Sequence, residues 1–190
     1  MKILITGADG FIGKNLRVSL AEHEGFDVLP ITRASSDAAL AEAVASADAV
    51  IHLAGVNRPQ DPAEFAAGNA DFTARLCDLL AATGRPIPVA FASSIQAERD
   101  NPYGASKRAA EDHLRAYADA SGAAVGLYRF ANVFGKWSRP DYNSAVATFC
   151  HNIPRGLPIR IDNPSAEVRL VYIDDVVAEL LHFLRDPGQG

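Results

Sequence analysis

The chain opens Met1-Lys2-Ile3-Leu4-Ile5-Thr6-Gly7-Ala8-Asp9-Gly10-Phe11-Ile12-Gly13, a short apolar run that breaks into three glycines separated by two residues each. The apolar run reads as a buried strand, and Phe11, Leu16 and Leu20 then recur at helical spacing. Strand, tight turn and helix in so little chain predict the first unit of an open parallel sheet. Glycines let the backbone turn sharply and approach a pyrophosphate, whose charge would rest on the free N–H groups at the helix start. Gly7, Gly10, Phe11, Ile12 and Gly13 are therefore candidate dinucleotide contacts. The spacing differs from the commoner G-x-G-x-x-G, and an ordinary glycine-rich turn is the competing reading. Asp9 is an oddity here, since a carboxylate inside a phosphate turn is unhelpful unless it faces away.

Downstream, strand and helix patterns alternate. Strands are expected near residues 2–6, 26–31, 49–53, 87–92 and 124–130, and helices near 11–23, 37–46, 62–83 and 102–121. The fold class is α/β, a doubly wound, Rossmann-like parallel sheet in a single domain over 1–190. Only one helix-like stretch separates the second strand from the third, so a usual strand-helix unit is missing. After Asn132 the pattern becomes irregular, with a helix over 143–153, a short strand around Ile159, another over 168–172 and a last helix over 174–184. With 190 residues, 48% hydrophobic, the chain is large enough for a proper core. A net charge of -5 gives no footprint for nucleic acid, and no apolar stretch suits a membrane span or a secretory leader. Cys77 and Cys150 are too few and too far apart for a disulfide framework or a metal site, so no metal is expected and both are read as reduced core residues.

Chemistry concentrates at the strand ends. Asp48-Ala49-Val50-Ile51-His52-Leu53-Ala54-Gly55 looks like a buried strand ending in a small-residue turn, where Leu53, Ala54 and Gly55 would let a cofactor lie against the backbone. His52 is read as a hydrogen-bonded core residue. Ser93-Ser94 ends the next strand, and alternation points the two hydroxyls to opposite sides. Tyr103 and Lys107 stand four residues apart on one helix face. A tyrosine, with a reference pKa of about 10, becomes a usable proton donor if the neighbouring ammonium favours its phenolate. After the second strand, Arg33 is placed to accept the 2'-phosphate of NADP(H), with NAD(H) the second choice. Ser35 and Ser36 serve equally as further contacts or as a helix N-cap.

Gly7-x-x-Gly10-Phe11-Ile12-Gly13, His52-Leu53-Ala54-Gly55, Ser93-Ser94 and Tyr103-x-x-x-Lys107, in this order, resemble the extended short-chain dehydrogenase/reductase (NAD-dependent epimerase/dehydratase) family of nucleotide-sugar enzymes. Arg129 to Gly135 and Arg169 to Val176 resemble two later family segments, so the likeness covers nearly the whole chain. Gly55 to Pro59, Asp100 to Gly104 and Phe134 through Ser144 are most similar to the reductase domain of CapF-type capsular-polysaccharide enzymes. The resemblance implies NADPH-dependent reduction of the 4-keto group of a UDP-linked deoxy sugar, in the cytoplasm. Ser94, Tyr103 and Lys107 are then the catalytic set. Asn132, Asn143 and Arg169 join Ser94 as substrate contacts, although Asn143 and Ser144 could equally cap a helix; Lys136 and Trp137 could approach the nucleotide, although Trp137 could equally cover the core. A 4-epimerase and a non-catalytic NAD(P)-binding sensor are the alternatives. Dehydratases of the family carry Asp-Glu after the hydroxyl residue, where Ile95-Gln96 stands here and cannot exchange the proton that elimination needs.

The resemblance also implies a larger substrate lobe than this chain supplies, so residues 132–190 are expected to contribute only partial substrate-binding elements, in a truncated, fragmentary or naturally short form. Family members pair through the two helices that carry Phe65, Phe72, Leu76, Leu80, Leu114 and Tyr117. A homodimer is the corresponding expectation, although the same apolar stripes would be needed to cover the sheet.

Overall fold

Ile3, Leu4 and Ile5 are all fully buried, so strand β1 (Lys2–Thr6) is covered on both faces, which in this fold class calls for helices on either side. A computed structural model, which describes residues 1–61 and 63–189, shows how this is met. The elements are α1 (Phe11–Ala21), β2 (Asp27–Ile31), α2 (Asp37–Ser46), β3 (Ala49–His52), α3 (Ala63–Phe65), a π-helical stretch (Ala66–Asp71) that runs into α4 (Phe72–Ala82), β4 (Val89–Ser94), a 3₁₀ turn (Ile95–Glu98), α5 (Pro102–Ser121) and β5 (Val125–Phe130). The expected start of the 62–83 helix at residue 62 lies outside the described residues. All sheet neighbours are parallel, in the order β2-β1-β3-β4-β5. No strand lies beyond β2 among the described residues, in keeping with the missing strand-helix unit.

Alternation along β1 divides the core. Leu4, with Val50 and Phe91, packs against Leu40, Val44, Leu76, Leu80, Leu114 and Tyr117 of α2, α4 and α5. Ile3 and Ile5, with Ile51 and Ala90, pack against Leu16 and Leu20 of α1 and Val176, Leu180 and Phe183 of α7 (Ile173–Arg185). Leu76, Leu80, Leu114 and Tyr117 thus bury themselves on the sheet, each contributing roughly 1.5–3 kcal/mol. At the outer edge, Asp27 and Ile31 bond to the β1 side, through Met1 O and the Ala8 N–H, so alternation turns Val28 and Pro30 outward. The proline's missing N–H falls on the unpaired side of β2, the position in a sheet where proline costs no ladder bond.

Beyond β5 the chain forms a small parallel pair, β6 (Asn132–Phe134) with β7 (Leu170–Tyr172), and helix α6 (Ala145–Asn152). β6 is too short for periodicity to reveal it. The strand expected around Ile159 does not form: residues 157–169 are irregular, and Ile159 and Ile161 stand exposed with no partner strand to pair them. Cys77 is buried as expected, but Cys150, on α6, is exposed and is not a core residue. No described helix is long and apolar enough to cross a membrane.

Candidate active site

The helix after β1 lies on one side of the sheet and the helix after β3 on the other, which opens a crevice at their carboxyl ends. There the ends of β1, β3, β4 and β5 border one cleft of about 860 Å³. Gly7, Gly10, Phe11, Ile12, Gly13, Leu53, Gly55, Ser94, Tyr103, Lys107, Asn132 and Asn143 all line it.

Two glycines of the first turn, Gly7 and Gly13, have a steric reason. Gly7 has a φ of +68°, and a β-carbon there would lie 2.7 Å from Ala54 N. At Gly13 it would lie 2.5 Å from Gly7 O, and the Gly10 N–H closes the turn onto Gly7 O at 2.9 Å. The turn is a backbone-lined cradle that a side chain would fill. Asp9 is held in a 3.0 Å ion pair by Arg17, which neutralises the carboxylate. Ala54 packs behind the cradle rather than lining the cleft, with its N–H on Thr6 Oγ1 at 3.2 Å.

His52 is fully buried between Thr6 Oγ1 at 2.6 Å and Thr73 Oγ1 at 2.9 Å, a satisfied core histidine. Burial, with a smaller contribution from the Lys107 charge, pushes its pKa down to about 3. The two serines are the last residues of β4, which runs from Val89 to Ser94. Ser93 donates to buried Glu111 at 2.6 Å, while Ser94 faces the cleft, caps the 3₁₀ turn through the Gln96 N–H at 3.2 Å, and acts to lower the pKa of the Tyr103 phenol.

Tyr103 is placed by strong local signals. Asn101 caps α5 by accepting the Gly104 N–H at 2.8 Å, and Pro102 occupies the first turn. A β-carbon on Gly104 would lie 2.2 Å from Gln96 O, so glycine lets the helix start press against the 3₁₀ turn. The ring of Phe65 approaches that of Tyr103 at 5.5 Å. The expected lowering of the phenol by Lys107 is not what the structure gives. Burial raises the Tyr103 pKa, and the interaction that offsets this is with Ser94. Lys107 is committed elsewhere: it is buried, donates to Ala92 O at 2.9 Å and lies 4.7 Å from the centre of the Phe91 ring. Burial pulls its own pKa down to about 8, with Glu111 acting in the opposite sense.

Sequence reasoning missed Asn69. Its Oδ1 accepts the Val56 N–H at 2.9 Å, and its Nδ2 donates to Val56 O at 3.0 Å and to Ser106 Oγ at 2.9 Å. Ser106 in turn donates to Tyr103 O at 2.8 Å, so one buried amide ties the loop after β3 to the helix of the phenol. The signal was present: Gly68-Asn69 are poor helix formers inside an otherwise helical run. There the helix widens to a π turn, and Gly68 leaves room for Val56. The loops over the cleft mouth meet where the Tyr142 hydroxyl donates to Asn57 Oδ1 at 2.9 Å, with the Arg58 and Arg139 guanidinium groups 5.7 and 5.4 Å from the Tyr142 ring centre.

Three predicted contacts stand apart from this cleft lining. Arg33 is exposed on the turn after β2, where Ser36 is the N-cap of α2 and Ser35 accepts the Thr32 N–H. Arg169 is exposed, and its backbone carbonyl accepts both the N–H and the Nδ2 of Asn132. Ala54 is the third. Asn143 is exposed at the cleft rim, Ser144 caps α6 through the Ala147 N–H at 3.3 Å, and Trp137 is 56% exposed rather than covering the core. Among the described residues no cluster of three or more His, Cys, Asp or Glu could hold a metal ion.

The model of the family described as "NAD dependent epimerase/dehydratase family" matches residues 3–190. Over 177 residues the chain is 58% identical to UDP-2-acetamido-2,6-beta-L-arabino-hexul-4-ose reductase of Pseudomonas aeruginosa, which covers 93% of this chain and 48% of that protein. The fold superimposes on the capsular polysaccharide assembling protein CapF of Staphylococcus aureus with a TM-score of 0.88 at 41% identity, over 98% of this chain and 50% of that one. MoeE5 in complex with UDP-glucose and NAD gives 0.86 at 26% identity, over 100% and 74%. The chain thus spans about half the length of the first two of these proteins.

Proposed function

Because this chain belongs to the NAD dependent epimerase/dehydratase family, we propose that it reduces the 4-keto group of a UDP-linked deoxy sugar with NADPH, in the assembly of a surface polysaccharide. The observation that carries the reading is the convergence of Ser94, Tyr103 and Lys107 on the cleft whose other end is the glycine cradle. The reductase from P. aeruginosa and CapF support the substrate class by likeness.

A dinucleotide fits the residues present, because the Gly7–Gly13 turn offers bare backbone and a helix N-terminus to a diphosphate. Lys107, whose Nζ lies beside the bare backbone of Gly55, is placed for the cofactor ribose. Arg33 is assigned to the 2'-phosphate, with NAD(H) as second choice. The reduced cofactor, when bound, supplies hydride to the carbonyl carbon. Ser94 donates a hydrogen bond to the carbonyl oxygen, and Tyr103 gives up its proton to the alkoxide that forms. Burial raises the pKa of the phenol and so favours its protonated form, the one that reduction consumes. Asn132, Asn143 and Arg169 are assigned to the sugar nucleotide, which makes 132–190 the partial substrate side of one domain. Free Cys77 and Cys150 fit a reducing, cytoplasmic compartment. Pairing of two copies through α4 and α5 is assigned to their outer faces.

Titration with NADPH and NADH, followed by single-turnover oxidation of bound NADPH by UDP-4-keto-6-deoxy sugars, tests the reading. Tight NADPH binding with turnover is expected. Binding without turnover would replace the reductase by a non-catalytic sensor.

A further inference from the structure

Glu111 is a fully buried carboxylate one turn beyond Lys107 on α5, the third member of a stripe whose first two are Tyr103 and Lys107. Four donors meet it: Ser93 Oγ at 2.6 Å, Arg129 Nε at 2.9 Å and Nη2 at 2.6 Å, and Arg115 Nη2 at 3.0 Å. A buried ion pair is not by itself evidence of stability, because desolvation offsets much of the attraction. What this network does is connect pieces that matter. Ser93 is the residue before Ser94, and Arg129 also reaches Glu98, at 3.1 Å, at the end of the 3₁₀ turn that follows Ser94. Ser94 is therefore held from both sides by side chains that never enter the cleft chemistry.

We propose that Glu111 is a positioning residue for the carbonyl chemistry: through Ser93 it fixes the strand end so that Ser94 faces the phenol, and as the buried anion beside Lys107 it keeps that ammonium charged. The inference rests on the reductase reading for its kinetic consequences. Alternation in β4 supplies the first effect, since a bond that pins the Ser93 side chain on one face sets the Ser94 hydroxyl on the other. Proximity of opposite charge supplies the second. Lys107 otherwise faces the Ala92 carbonyl, the Phe91 ring and neutral His52. Glu111 faces Arg129 from β5, Arg115 on its own helix and Ser93 from β4. Burial works against its charge, but Arg129, Ser93 and Arg115 outweigh that and hold its carboxyl at about 2, so it stays anionic across the pH range of catalysis.

The test compares wild type, Glu111→Gln and Ser93→Ala. Glu111→Gln should slow single-turnover hydride transfer by about tenfold or more while leaving NADPH affinity within about threefold, and should move the alkaline limb of the rate toward lower pH by about one unit. Ser93→Ala, which keeps every charge, should slow transfer without moving that limb, and Ser93→Thr should restore part of the rate. The lysine charge is also read without turnover. The chain has only Lys2, Lys14, Lys107 and Lys136, so an NMR pH titration of its lysine side chains resolves Lys107 directly. A Lys107 titration midpoint lower in Glu111→Gln than in wild type supports the inference even if wild type proves unable to reduce a keto sugar, an outcome that would sink the reductase reading alone. An unchanged Lys107 midpoint in the folded variant overturns it. If Glu111→Gln does not fold, Ser93→Ala decides: a tenfold slower transfer with melting temperature and NADPH affinity retained supports the inference, and a wild-type rate overturns it.

Discussion

At the inner end of the cleft, Gly7, Gly13 and Gly55 stand where one added carbon would lie 2.7, 2.5 and 2.8 Å from the nearest fixed atom. On the flank formed by the chain after β5, which carries β6, α6 and β7, Ile153, Ile161 and Val168 are 61%, 58% and 54% exposed. The inner end is set by excluded volume, since a side chain at any of these three positions would overlap an atom already there. The flank contributes polar groups to the cleft rim, Asn132 and Asn143, from a backbone held chiefly by the short β6–β7 pair. The geometry of the glycine turn is thus built into the sheet, while that of the segment after β5 depends on local order.

The contrast can be broken most directly at the chemistry itself. Tyr103→Phe should lower single-turnover hydride transfer by about a thousandfold or more, with NADPH affinity changed less than about threefold, because the ring stays and only the proton is lost. A mutant rate near wild type would remove Tyr103 from the reaction. Next in size is the cradle. Gly13→Val should cost about 3 kcal/mol in urea unfolding and abolish NADPH binding, since its side chain would overlap the Gly7 and Ala8 carbonyls. A variant that binds normally would show that the turn is not the diphosphate site.

His52 tests the core beneath the cradle. Its folded pKa, about 3, lies below the unfolded value of about 6.5, so the unfolded chain binds the extra proton first. The stability it contributes is complete above about pH 6.5 and should fall by up to about 1.4 kcal/mol per pH unit as pH drops toward 3. In His52→Gln, urea melts between pH 7 and 4.5 should show a shallower decline. Arg33→Asp should weaken NADPH about tenfold more than NADH, and an equal loss of both would cancel the 2'-phosphate assignment. Smallest of all, Ile161→Ser on the flank should change unfolding free energy by less than about 0.5 kcal/mol, and a large loss there would mean the flank is packed after all.

Much of the sheet was legible because its signals are local. The apolar β1, the Asn101-Pro102 helix start and the Ser36 cap each act over a few residues, and the boundaries of α2 and α5 agree with the sequence reading. The site was legible as far as strand ends and helix faces reach. Asn69 and Glu111 were not, because, apart from Arg115 one turn from Glu111, their partners lie 13 to 37 residues away on other elements. The same limit explains Lys107, whose spacing from Tyr103 suggested a pair, while the Ala92 carbonyl and the Phe91 ring, brought in by β4, claim its ammonium. β6 is three residues long and carries no period, and the strand expected around Ile159 finds no partner among the described residues.

Pro30 carries a consequence beyond the sheet it belongs to. A row of bare amides along an outermost ribbon invites a stranger's ribbon to zip onto it, the first step of fibre growth. Here that row is interrupted by a ring with no hydrogen to give, which takes from this margin one of the donors a recruited ribbon would need.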